Sequence, residues 1–315
     1  MSKFLLIILL SLSVLANRLE PSLLSEDLAL NNVQNDSHLE TVLKNLDFSL
    51  EIGDFEYSEK LIQDVIKDYP DNEILRNKLA MIYTKGAHYK KSYDFIKKLV
   101  ILEVDKETEE ITYDKRYADL YFYQVENLKN LIEVETLNWR KAIYERELFV
   151  YYELYLEINN YQDSEGIYDL GNIYMSSEMF QKAMEIFEKD RNKDYRNIFG
   201  VAVTSRYLGD YKKSIENYEN FIRLEPSMNE AYLGLAQAYQ MSGDFDKALA
   251  YFDRYLRYEK VERIYVVMAN IEIARGRNAG ARIILEEAQK IFPNSKDIGD
   301  LLIEVYSKIR KVEDE

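Results

Sequence analysis

Cysteine is absent from this sequence, so it can carry neither a disulfide framework nor a thiolate-bound metal. Histidine is almost absent. His38 and His88 stand far apart, neither with a partner at ligand spacing, and there is no HExxH, EF-hand or glycine-rich phosphate loop. The nearest approach to a calcium loop, Asp105 to Glu110, lacks the central glycine and the alternating ligands. A serine nucleophile would need a base within hydrogen-bond reach, which two isolated histidines do not offer. The 56 acids guarantee carboxylate pairs at helical spacing, so such pairs carry no catalytic signal. The sequence therefore predicts no catalytic residue, no metal site and no cofactor, and ranks an enzyme last among function classes. Lysine and arginine number 41 against those 56 acids, a net charge of −15 with no basic run. Such a surface repels phosphate, which disfavours nucleic acid and anionic membranes and favours basic or neutral polypeptides as partners. Alternating Val, Ile or Thr runs are missing too, so strands have little support and an all-α chain is predicted.

What is present begins at the N-terminus. Met1, Ser2 and Lys3 form a basic start, Phe4 to Leu15 is an almost unbroken apolar stretch, and Val14 and Ala16 place compact residues where a signal peptidase reads. About 13 apolar residues fall short of the ~20 that span a bilayer, so residues 1–16 are predicted to be a cleaved signal peptide rather than an anchor. Cleavage after Ala16 would remove Lys3 and no acid, leaving a net charge of −16. Without a cysteine the lipoprotein route is closed. The expectation is an exported protein, periplasmic or secreted, with no integral membrane insertion after cleavage. Residues 17–38, which include Pro21 and are rich in Asn, Ser and Leu, are predicted to be a flexible lead-in.

The rest of the chain has a beat. Pro70, Pro226 and Pro293 each lie seventeen residues after a glycine, at Gly53, Gly209 and Gly276. With that glycine at position 15, copies of a repeat begin at Leu39, Glu73, Ser164, Tyr195, Asn229 and Glu262, mostly 33 or 34 residues apart. Position 20 is always small (Ser58, Ser92, Ala183, Ser214, Ala248, Ala281), and position 8 is small in five of the six copies (Ala80, Gly171, Ala202, Ala236, Ala269), the first having Leu46. Position 24 is always bulky (Ile62, Ile96, Phe187, Tyr218, Phe252, Leu285) and position 17 is aromatic in five copies. Small residues recurring opposite large ones predict two antiparallel helices per repeat, packed knob into gap.

These residues, most clearly AYLGLAQAYQMSGDFDKALAYFDRYL from Ala231 to Leu256, resemble the tetratricopeptide repeat family. The resemblance implies a right-handed superhelical solenoid of helix–turn–helix repeats, with a concave groove lined by the first helix of each pair. It covers residues 39–106 as two repeats and 164–294 as four, with 295–315 as a capping helix whose apolar residues include Ile298, Leu302 and Val305. The pattern departs from the family in places. Position 32 is Val104 and Lys260 in two copies, the copy at Ser164 is about three residues short, and position 11 of the last copy is Glu272 instead of an aromatic.

Residues 107–163 break the rhythm, being too long for one repeat and too short for two. Two helical stripes, one with Tyr113, Tyr117, Leu120, Tyr121, Leu128 and Ile132, the other with Trp139, Ala142, Leu148, Tyr152 and Tyr155, predict two long helices. With nine of the 27 tyrosines, the only tryptophan and an excess of acids, this segment either packs its aromatics between those helices or presents a separate binding face.

Carried over copy by copy, the family's concave positions 2, 5, 9, 12 and 13 fall in the last four repeats on Tyr168, Asn172, Met175, Phe199, Arg206, Tyr207, Gln237, Gln240 and Asn270, among others. The position-9 amides Asn172, Gln237 and Asn270 both donate and accept, as an extended peptide backbone requires. The lysine and asparagine device by which some members of the family hold a C-terminal carboxylate is not matched: Leu43 and Asp47 occupy its first two positions, and Gly200 and Gly234 stand at position 6. The expected function is an exported, non-enzymatic adaptor that holds a protein or peptide ligand in this groove. The alternative is a structural envelope component that associates with copies of itself, a possible homo-oligomer with no peptide bound.

Overall fold

The computed structural model describes residues 37–100, 102–104, 111–190 and 192–313. The predicted signal peptide, nearly all of the lead-in and the acidic stretch 105–110 lie outside the described residues. The chain divides into two compact units, the first ending at Tyr161 and the second beginning at Gln162.

In the first unit, α1 (Ser37–Glu51), α2 (Phe55–Val65), α3 (Glu73–Lys85) and α4 (Tyr89–Leu99) form two antiparallel pairs. Ser37 and His38, assigned to the lead-in from sequence, belong to α1. Two longer helices come next, α5 (Ala118–Val134) and α6 (Asn138–Ile158). Between α4 and α5 a two-residue antiparallel ladder joins β1 (Glu103–Val104) to β2 (Ile111–Thr112), a feature the sequence did not announce. Val104 stands where three other copies have proline, and unlike proline it keeps an N–H for ladder pairing. The predicted stripes of the long helices mostly pack inward: Leu120, Tyr121, Leu128, Leu148 and Tyr152 are buried. Trp139 departs from its stripe. In the first turn of α6 it is 61% exposed, beside exposed Val134 and Leu137.

Polar groups also enter this core, and most are paired. The Tyr93 hydroxyl donates to Glu147 Oε2 at 2.7 Å and Lys97 Nζ to Glu147 Oε1 at 2.8 Å. Thr84, Ser92 and Asn127 close a second buried network at 2.8 to 3.1 Å.

The second unit runs α7 (Ser164–Ser176), α8 (Phe180–Phe187), α9 (Tyr195–Tyr207), α10 (Tyr211–Leu224), α11 (Asn229–Ser242), α12 (Phe245–Leu256), α13 (Glu262–Ala274), α14 (Asn278–Ile291) and α15 (Lys296–Glu313). The last of these covers the array with Ile298, Leu302 and Val305, all buried. In both units the expected packing is present. All six position-20 residues and the position-8 residues Leu46, Ala80, Ala202, Ala236 and Ala269 are fully buried, and the six position-24 side chains are at most 2% exposed.

The turn within each pair results from one backbone choice. Position 15 is left-handed in all six copies, with φ of 75°, 81°, 86° and 73° at Gly53, Gly209, Gly243 and Gly276, and 61° and 57° at Ala87 and Glu178. The next amide then reaches the carbonyl five residues back, as from Asp210 to Ser205 at 2.9 Å and from His88 to Tyr83 at 2.8 Å. In three copies that next residue is aspartate. Asp54, Asp210 and Asp244 each accept from the backbone N–H three residues on and so start the second helix.

Two departures noted in the sequence have local explanations. The short copy ends α8 at Phe187, and the buried Asp190 organises the connection into α9: its carboxylate accepts from Ser164 Oγ, Asn192 N, Asp194 N and Asn197 Nδ2 at 2.8 to 3.0 Å. At position 11 of the last copy, buried Glu272 meets Arg275 at 3.3 Å, and Arg275 and Arg277 both reach Asp246 of the preceding repeat. Gly280 makes room for it, since a β-carbon there would lie 2.4 Å from Glu272 Oε2.

Candidate functional site

Within the second unit the first helices are neighbours. Close contacts join α7 to α9 and α9 to α11, whereas among the described residues the second helices α8, α10, α12 and α14 have no comparable contact with each other. These contacts put α7, α9 and α11 on the inside of the curve in this unit, while among the described residues α11 and α13 make no comparable contact.

Each first helix turns one stripe into the core and another away from it. Ile167, Leu170 and Tyr174 of α7, Val201, Ala202 and Ser205 of α9, and Tyr232, Leu235, Ala236 and Tyr239 of α11 are buried. On the opposite stripe, Asn172, Tyr207 and Asn270 are exposed, and Tyr168, Met175, Phe199, Arg206, Gln237 and Gln240 are half-buried. All nine residues singled out from the sequence thus lie on the solvent-facing stripe. The helices approach closely because glycine occupies position 6 in two copies. The Phe187 ring lies against Gly200 and the Tyr218 ring against Gly234, where added β-carbons would sit 2.7 and 2.4 Å from ring atoms.

The nine are not alike in their surroundings. Tyr207 stacks on Phe180 with ring centroids 4.7 Å apart and planes 3° from parallel, and Arg206 lies 4.9 Å over the Tyr207 ring. Phe199 packs on Phe221 and Tyr218 at 5.0 and 5.8 Å, so part of its ring belongs to the core. Met175 Sδ accepts from Thr204 Oγ1 at 3.4 Å, and Tyr168 faces the Arg196 guanidinium at 5.4 Å. The amides differ from these: among the described residues no side-chain hydrogen bond engages Asn172, Gln237, Gln240 or Asn270. Gly200, Gly234 and Tyr218 lie buried beneath this surface and set how closely the helices approach, a packing between repeats that sequence reasoning did not assign to them. Burial pushes the Tyr218 hydroxyl pKa up, and nearby Arg206 opposes the rise.

Elsewhere the chemistry-bearing residues are spent on structure. His88 precedes α4 with Nε2 3.7 Å from Glu59 Oε2. Among the described residues no three His, Cys, Asp or Glu side chains are grouped to hold a metal ion, and no helix is long and apolar enough to cross a membrane. The possible calcium loop lies outside the described residues.

Comparison with known proteins agrees with this geometry. Tetratricopeptide repeat family models match residues 164–189, 204–263 and 242–296. A TPR repeat-containing protein of Bacillus subtilis, YpiA, is 24% identical over 281 residues, covering 82% of this chain. This chain spans only 65% of that relative's length. The photosystem I assembly protein Ycf3 of Prochlorococcus marinus is 27% identical over 134 residues, 41% of this chain and 76% of its own length. Among solved structures, the C-terminal part of a TPR repeat-containing protein from Cytophaga hutchinsonii superposes with a TM-score of 0.52 at 13% identity, covering 82% of this chain and 98% of that one.

Proposed function

Because this chain belongs to the tetratricopeptide repeat superfamily, we propose that it is a non-enzymatic scaffold for protein–protein interaction whose second unit holds a protein or peptide segment along its first helices. The observation that carries the reading is the set of unengaged amides Asn172, Gln237, Gln240 and Asn270 on a stripe otherwise lined by Tyr168, Phe199, Leu233 and Val266. Amides that neither donate nor accept within the protein are available to the backbone of an extended ligand, and the apolar neighbours give its side chains somewhere to be buried. A relative named as an assembly protein supports the same class of role.

The test is capture of partners from the native extract on the immobilised chain. The double variant Gln237→Ala with Asn270→Ala is expected to lose the captured protein while keeping its helicity and melting temperature. Undiminished capture excludes the groove.

The proposal extends to export. Residues 1–16 have the composition of a signal peptide, and N-terminal sequencing of the protein recovered outside the cytoplasm should begin at Asn17. One observation favours the self-associating alternative: exposed Val134, Leu137 and Trp139 cluster at the turn between α5 and α6 of the first unit. That reading requires concentration-dependent assembly in light scattering, reduced by Trp139→Ser.

A further inference from the structure

The whole chain is strongly acidic, yet the solvent-facing stripe of the second unit is not. At positions 2, 5, 9, 12 and 13 of its four repeats the charged residues are Glu165, Glu230, Arg196, Arg206 and Arg263. Arg196 is held by Asp194 at 3.0 Å. Neither Arg206 nor Arg263 has a carboxylate within ion-pair distance among the described residues. In a protein with 56 acids against 41 bases, two cations left without a counter-charge on the candidate binding face call for a partner.

Arg206 is the better placed of the two. Its guanidinium lies over Tyr207, whose ring is stacked on Phe180, so planar packing holds the group in place. Its Nε is closed off from solvent and has no hydrogen-bond acceptor. Beneath it lies the buried Tyr218 hydroxyl, which bonds the guanidinium and whose ring fills the space beside Gly234. With Nε enclosed, the terminal nitrogens of this half-buried, fixed guanidinium are what a ligand can reach, and such a fork fits a carboxylate with two parallel hydrogen bonds. Half-buried Phe199, Val203 and Leu233 lie on the same stripe.

Resting on the groove reading above, we propose that the ligand is an extended peptide segment carrying an aspartate or glutamate between apolar residues, with that side-chain carboxylate seated on Arg206. The source is an internal side chain, not a chain end, because the stripe continues past Arg206 in both directions, through α7 on one side and α11 on the other. Net charge alone predicts a basic ligand; the local geometry predicts an acid at this one point.

The experiment pans a random dodecapeptide display library on the full chain. It then measures fluorescence anisotropy of selected peptides, synthesised with amidated C-termini. Selected sequences should be enriched in an acid flanked by apolar residues, and exchanging that acid for its amide should weaken binding by about tenfold or more. Arg206→Gln should bind acid and amide peptides alike while melting as the parent does, and Arg206→Lys should restore part of the preference. Selection of neutral or basic sequences would overturn the proposal and leave the groove reading standing. Loss of binding on C-terminal amidation, or an acid preference that persists undiminished in Arg206→Gln, would also overturn it. Enrichment of no sequence at all would remove both readings.

Discussion

The Phe187 ring lies across Gly171 so closely that a β-carbon on that glycine would sit 2.2 Å from it. Here a bulky position 24 on the second helix fills space left by a small position 8 on the first, a combination of residues that recurs in five of the six copies. Gly171→Ala should therefore destabilise the second unit by about 1 to 3 kcal/mol through overpacking, and Ala248→Leu by a similar amount. Urea unfolding of each variant measures it. Parental midpoints in both would mean the gaps are not filled as described.

Backbone conformation at position 15 gives the opposite sign. Ala87 and Glu178 hold the left-handed conformation that costs an L-residue roughly 1 to 2 kcal/mol, so Ala87→Gly and Glu178→Gly should each raise stability by about 0.5 to 1 kcal/mol. Gly209→Ala should lower it by about 1 kcal/mol. Nothing lies within 4 Å of a β-carbon there, so the effect is backbone strain alone. Thermal melts compare the three.

Asp190 accepts four hydrogen bonds from a buried position, and Asp190→Ala would leave those donors unpaired. The expected loss is about 2 to 4 kcal/mol, with hydrogen exchange accelerating first in residues 188–198.

Burial pushes the Tyr121 hydroxyl pKa to about 12, and the Tyr93 and Tyr151 hydroxyls are raised as well. In the unfolded chain a tyrosine titrates near 10. The folded state thus keeps a proton that the unfolded state releases. The resulting stability is complete below about pH 10 and is lost as the pH rises toward 12. Melting temperature should fall across that interval, with tyrosinate absorbance appearing at unfolding. A melting temperature level from pH 10 to 12 would contradict these burials.

Much of this was legible in the sequence because it repeats. One alanine at position 20 says little, but six small residues each followed four positions later by a bulky one mark the buried face of every second helix, and both sets are buried as that register requires. What stayed hidden was carried by residues whose role depends on context. Ala87 and Glu178 give no sign of a left-handed turn, since only glycine advertises that freedom. Asp190 and Glu272 read as surface acids until their partners, brought together by folding, are seen around them. Trp139 fell on a helical stripe and still faces solvent, because α6 begins only one residue before it. On the candidate stripe, periodicity located Tyr207 and Phe199, but not that Tyr207 would stack on Phe180 or that Phe199 would share its ring with Phe221.

The most direct test of the central claim is site-specific photo-crosslinking, with a benzophenone amino acid at Val203 on the solvent-facing stripe of α9 or at Glu216 on the exposed side of α10. A segment held along the first helices predicts a crosslinked partner from position 203 and none from 216. Crosslinking from 216 alone, with 203 silent, would contradict it.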